Sequence, residues 1–171
     1  MSAAKLKPAT LAKLAALLAS PAVRSDVYRT VRRAFKGVRA LCAATASEYL
    51  IRAGVLSGYH PWTSGLEVAL KVTGWKTVGG TGVTARDNAS TGETPVPPLK
   101  PYDVCYTTDA NANGAPDHVF IFLRWLDQSR LVAEVVDNYG AHPHPRNLGA
   151  PVWYGGQLLA RTPFSQAQRL G

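Results

Sequence analysis

The apolar residues of this chain change their spacing once, and that change constrains the fold more than any other feature. Up to about residue 75 they recur every three or four positions, while from residue 102 onward they come in short runs broken by Gly, Pro and Asp. A period near 3.6 puts apolar side chains on one stripe of a helix, whereas a short run bounded by turn residues marks a strand. Helices gathered ahead of strands exclude the alternating pattern of a parallel sheet. They point to an α+β domain with N-terminal helices packed on a small antiparallel sheet. A length of 171 residues suits one such core.

Leu11, Leu14, Leu17 and Leu18 share one face of a first helix that Pro21 stops. Lys13 followed by Leu14 to Ala19 imitates a secretory leader, but the apolar part sits at the short end of the usual range of about 7 to 15 residues, and an amphipathic helix is the reading. No run reaches the roughly 18 apolar residues of a membrane span. Val23, Val27, Val31 and Phe35 stripe a second helix ended by Gly37. Residues 41 to 53 form a third, with Gly54 in the left-handed position at its end, and residues 65 to 72 a fourth, capped near Thr63 or Ser64 and closed by Gly74. The Gly-, Thr- and Pro-rich stretch from Gly79 to Pro101 reads as a surface loop. Strands are expected over Tyr102 to Tyr106, His118 to Trp125, Leu131 to Asn138 and Val152 to Ala160, the second and third joined through Asp127-Gln128-Ser129.

Charge is distributed unevenly. Residues 1 to 40 hold Lys5, Lys7, Lys13, Arg24, Arg29, Arg32, Arg33, Lys36 and Arg39 against Asp26 alone, which accounts for the whole net charge of +8. The expected organisation is a basic helical arm, residues 1–36, packed on a domain of residues 37–171. Such an arm attracts a polyanion such as nucleic acid, teichoic acid or anionic lipid; the competing reading is a solvated helix face.

Two cysteines are too few for a disulfide framework or a four-cysteine zinc site. Cys42 falls in the first turn of the third helix. There the helix dipole, with a nearby His, lowers a thiol pKa from about 8.5 into the range of about 3.5 to 7.5. The competing reading is a small buried hydrophobe, which is also the reading for Cys105. If Asp127-Gln128-Ser129 closes a hairpin, His118 faces Asp137 or Asn138, a carboxylate or amide that would fix the imidazole tautomer and leave the other ring nitrogen for a thiol proton. The parity of a two-residue loop favours Asp137.

The segments Leu41-Cys-Ala-Ala-Thr-Ala-Ser-Glu-Tyr-Leu-Ile-Arg-Ala-Gly-Val55, Leu99-Lys-Pro-Tyr-Asp-Val104, Asp117-His-Val-Phe-Ile-Phe122 and Val135-Val-Asp-Asn138 resemble the NlpC-like and CHAP-like cysteine peptidases of the papain-like superfamily. The resemblance spans roughly residues 38 to 140. It implies a papain-like arrangement in which Cys42 is the nucleophile, His118 the general base and Asp137 or Asn138 the orienting residue. Tyr102 stands where that group has Gly in the turn, and Leu41 and Ala43 replace the usual neighbours of the Cys. The implied reaction is hydrolysis of amide bonds in peptidoglycan through a thioester, with the Cys42 N–H at the oxyanion. Acyl transfer by the same unit is the alternative chemistry. Tyr28 is a candidate substrate contact, set against a half-buried helical tyrosine. The chain is expected to act as a monomer, with its location left open between the cytoplasm where it is made and the cell wall or periplasm.

The chemistry needs no cofactor, but Asp109, Asn111, Asn113 and Asp117 take loop positions 1, 3, 5 and 9, with Gly114 at position 6, in the manner of a calcium loop. Phe120 at position 12 replaces the bidentate Glu, so affinity would be weak, on the order of 10⁻⁴ to 10⁻³ M. The competing reading is a turn bonded to its own backbone. His60, His142 and His144 read as surface-loop histidines, because the His142-Pro-His144 pair lacks a third ligand. A non-enzymatic alternative has Arg24, Arg29, Arg32, Arg33, Lys36 and Arg39 on nucleic acid, with Cys42 structural.

Overall fold

The computed structural model describes residues 3–36, 41–78, 99–107, 116–150, 152–154, 157–160 and 166–170. Its organising element is α3 (Cys42–Ala53), in which every residue but Ile51 and Arg52 is buried. A helix apolar on nearly every side belongs in a core, and the small residues of this one let its neighbours come close. It packs against the central strand β3 (His118–Asp127) and against α1 (Ala3–Ala19) and α2 (Pro21–Ala34). Gly54 ends it at φ 82°, the left-handed cap expected from the sequence, and the Val55 N–H closes on the Leu50 carbonyl.

The N-terminal stripes face this helix. Leu14, Leu18, Val27 and Val31 are buried in the same cluster as Leu50 and Tyr49. Pro21 separates the first two helices, and the Ser20 hydroxyl accepts from the Val23 N–H at 3.3 Å, capping α2. Arg52 ties α3 to α2 through Asp26 at 2.8 Å and also pairs with Glu48, which accepts from the Tyr59 hydroxyl. Arg24 does not belong to an outward basic face. It is buried, donating to the Leu18 carbonyl at 2.6 Å and to the Ala141 carbonyl at 3.3 Å, because a guanidinium is well suited to satisfy the open carbonyls at a helix end. Arg29, Arg32, Arg33 and Lys36 do remain exposed. Among the described residues no helix is long and apolar enough to cross a membrane.

The fourth helix, α4 (Thr63–Val72), leads into β1 (Trp75–Val78), a strand not anticipated. With β2 (Val104–Thr107), β3, β4 (Val132–Val136), β5 (His144–Asn147) and β8 (Gln166–Leu170) it makes a six-stranded antiparallel sheet in the order β1-β8-β2-β3-β4-β5. The single strand expected over Val152 to Ala160 is instead two, β6 (Val152–Tyr154) and β7 (Gln157–Ala160), which pair with each other.

Alternation along the strands gives the sheet two apolar faces. Val104, Tyr106, Val119, Ile121 and Val136 join the helical cluster, while Cys105, Phe120, Phe122, Ala133, Val135 and Ala167 form a second one with Leu131 and Leu148. The turn before β2 carries strain. Pro101 and Tyr102 occupy its middle, the Asp103 N–H returns to the Lys100 carbonyl at 3.1 Å, and Tyr102 takes φ 74°, the conformation that favours Gly at this turn position. Asp103, almost wholly buried, locks the turn to β8 through Arg169 Nη2 at 2.6 Å.

Candidate active site

Cys42 is the first residue of α3 and Leu41 supplies no side-chain cap, so the opening N–H groups of the helix lack partners from the helix itself. Ala43 N–H and Val119 N–H interact with the thiol, and His118 faces it. Burial pushes the thiol pKa up, but the charge and hydrogen bond of His118 and the two N–H groups outweigh burial and hold it below its ordinary value. His118 shifts the other way. Burial would lower it, yet Cys42 and the hydrogen bond to Asp137 raise it above the usual histidine value. Opposite shifts in facing groups favour transfer of the thiol proton to the ring.

His118 opens β3 and Asp137 directly follows β4. The expected direct opposition of the two is not what the ladder gives. The turn runs on through Leu131 at φ 55°, so pairing starts at Asp127 with Val132, and two irregularities shift it until Ile121 faces Val136. Carried on, that register sets Asp137 level with Phe120, the next residue on the His118 face, and the contact is diagonal. Nε2 of His118 lies 3.2 Å from Asp137 Oδ2. The same parity turns Asn138 away; it sits half-buried in the following turn.

Asp137 also accepts from the Tyr139 N–H at 2.8 Å and Arg146 Nη2 at 3.0 Å, and His144 Nε2 lies 3.0 Å from its Oδ1. Burial alone would raise its pKa, but hydrogen bonds from His118 and His144 and the positive charge of Arg146 hold it well below the usual carboxylate range. An ionised carboxylate only accepts, so both histidines donate through Nε2–H. That leaves Nδ1 of His118 as the nitrogen free to share a proton with the thiol. Comparison of the chain with protein-family models, curated proteins and solved structures finds no match.

His144 and Arg146 were not picked out by the sequence reading, which placed His144 in a surface loop. They lie two residues apart on β5, pointing to one face, and Arg146 Cζ stacks 5.0 Å from the centre of the Phe120 ring. Pro145 lies within β5, which is the sheet edge, where proline is tolerated. The His-x-Arg alternation was the available signal. His142 is exposed, and His60 is held by its backbone to the Ser47 hydroxyl.

Tyr28 lies half-buried on α2 with the Arg32 guanidinium 4.6 Å from its ring centre, a contact on its own helix. Of the calcium-loop residues, Asp109, Asn111 and Asn113 lie outside the described residues. Asp117 is described, and its N–H donates to the Thr107 carbonyl at 2.9 Å, fixing the chain one residue ahead of His118. Cys105 lies on the face of the sheet opposite the helical cluster that holds Cys42, and both thiols are free.

Proposed function

We propose that the chain is a cysteine-dependent amidase or endopeptidase of papain-like arrangement, acting on amide bonds of peptidoglycan. The observation that carries this is the Cys42 thiol at the start of a buried helix, facing an imidazole whose far nitrogen is held by Asp137. The choice of peptidoglycan rests on the resemblance of the Cys42, His118 and Asp137 segments to NlpC-like and CHAP-like peptidases.

In this reading the Cys42 thiolate attacks the amide carbonyl carbon, and a C–S bond forms as the carbonyl electrons move to oxygen. The Cys42 N–H at the helix start, with its positive dipole end, stabilises that oxyanion. His118 gives its Nδ1 proton to the leaving nitrogen, the C–N bond breaks, and a thioester remains. Water, deprotonated by the now neutral His118, then attacks the thioester. The C–S bond breaks, the acid leaves, and the thiolate–imidazolium pair is restored. Asp137 stays ionised throughout and holds the ring. An amine taking the place of water would make the same unit an acyltransferase. The exposed bases of α2, Arg29, Arg32 and Arg33, with Lys36 just beyond its end, are suited to hold the protein on an anionic wall polymer.

Incubating purified peptidoglycan with the wild-type chain and with Cys42→Ala, then analysing soluble products by mass, tests the reading. New amino and carboxyl ends released by the wild type alone support it. No release by either protein overturns the choice of substrate, and equal release by both overturns the role of Cys42.

A further inference from the structure

Asp137 is shared between two imidazoles. His118 takes Oδ2 at 3.2 Å and His144 takes Oδ1 at 3.0 Å. A carboxylate gripped on one oxygen can turn about its Cβ–Cγ bond; gripped on both, its plane is fixed. Arg146 from β5 supports the His118 side of the carboxylate and the Tyr139 N–H the His144 side. His144 is itself tightly placed: its Nδ1 lies 3.1 Å from the Pro145 carbonyl and the Tyr139 ring packs at 5.6 Å between centres. Both ring nitrogens therefore face acceptors, an arrangement only the doubly protonated ring satisfies. The charged and titratable groups facing it are Asp137 at the end of β4, Arg146 on its own strand and Tyr139 in the turn between them.

We propose that His144 is a positioning residue for the Cys42–His118 pair, sharing Oδ1 of Asp137 with the Tyr139 N–H to fix the plane of the carboxylate and through it the orientation of His118. The reactive unit is thus a chain of four side chains, Cys42, His118, Asp137 and His144, of which the last touches no reacting atom. This rests on Cys42 being the nucleophile and not on the bond that is cleaved. The His144 side chain is 27% exposed against 3% for His118. Replacing it therefore disturbs an edge strand and leaves the core intact. Groups that orient a histidine through its outer nitrogen matter because a ring that swings is a poorer partner for the charge it must carry.

The test is the rate of Cys42 alkylation by iodoacetamide across pH in the full chain, located by peptide mass mapping, with melting temperature recorded for each variant. The wild type is expected to react in two steps, the lower one below pH 7 belonging to the thiolate–imidazolium pair. His144→Ala should lower the rate at pH 6 about tenfold, the effect of losing one hydrogen bond to a charged group, and His144→Leu, which fills the space without donating, should do the same. His144→Gln keeps an N–H donor for Oδ1 and should return the rate to within about twofold of wild type. An unchanged profile in folded His144→Ala overturns the proposal. So does an equal loss in His144→Gln, because the effect would then belong to the ring's charge and not to its grip on Asp137. A wild type with a single step near the ordinary thiol value of about 8.5 would instead remove Cys42 as the nucleophile.

Discussion

Cys42 and Cys105 lie on opposite faces of one sheet and are about equally hidden, at 4% and 0% exposure. Burial raises the pKa of both, yet only Cys105 ends well above the ordinary thiol value, with the negative charge of Asp103 adding to the burial. Its Sγ lies 3.7 Å from the Asp103 carbonyl, and its face of the sheet is Phe120, Phe122, Val135 and Ala167. Cys42 meets His118 and the N–H groups of Ala43 and Val119, and its pKa falls. Depth in the protein therefore says little about a thiol. Fixed donors and a cation aimed at the sulfur decide whether it is a core filler or a nucleophile.

The contrast can be broken most decisively by deletion. Cys42→Ala and His118→Ala should each remove turnover of peptidoglycan by up to about a million-fold, since members of such a unit act together. Cys105→Ala should leave turnover within about twofold; a comparable loss there would erase the distinction between the two faces. Next in size, Asp137→Ala should cost about 10² to 10⁴ in kcat, and Asn138→Ala only a few-fold. Kinetics with the reverse order would move the orienting role to Asn138.

Alkylation sharpens the comparison without any substrate. Because the Cys42 pKa is lowered and that of Cys105 raised, Cys42 holds the larger thiolate fraction at any pH below the ordinary thiol value and should label faster. Acidification should quench Cys42 as its thiol reprotonates. On the alkaline side, turnover should fall as His118 loses its proton above its raised pKa, hence above about 6.5. Faster labelling of Cys105 in the native protein would refute the assignment. The smallest effect expected is on stability. Cys105→Ala empties packed space and should destabilise by about 1 to 2 kcal/mol in denaturant unfolding. Cys42→Ala removes one member of a buried pair and leaves the His118 ring facing the gap, so it should cost at least as much.

Much of this was written locally. Stripes such as Val23, Val27 and Val31 marked helices, Pro21 and Gly54 marked their ends, and the helix formers of residues 41 to 53 marked the third. Cys42 at the head of that helix, His118 at the head of an apolar run and Asp137 at the end of another were legible for the same reason: each follows from period and punctuation within a dozen residues. Proline at 145 hid β5, and strands of four or five residues such as β1 and β8 are too short to show a period.

The sequence by itself determined an α+β chain with a thiol at a helix start and a histidine and a carboxylate at strand ends, because hydrophobic period and turn residues act on neighbours. Only the tertiary structure decided that β8, from the last residues, lies between β1 and β2, that the register sets Asp137 level with Phe120 and diagonal to His118, and that His144 and Arg146 close on the same carboxylate. Those outcomes depend on which distant edges meet and in what register. Pairing across the sheet sets both, and no local stretch of residues records it.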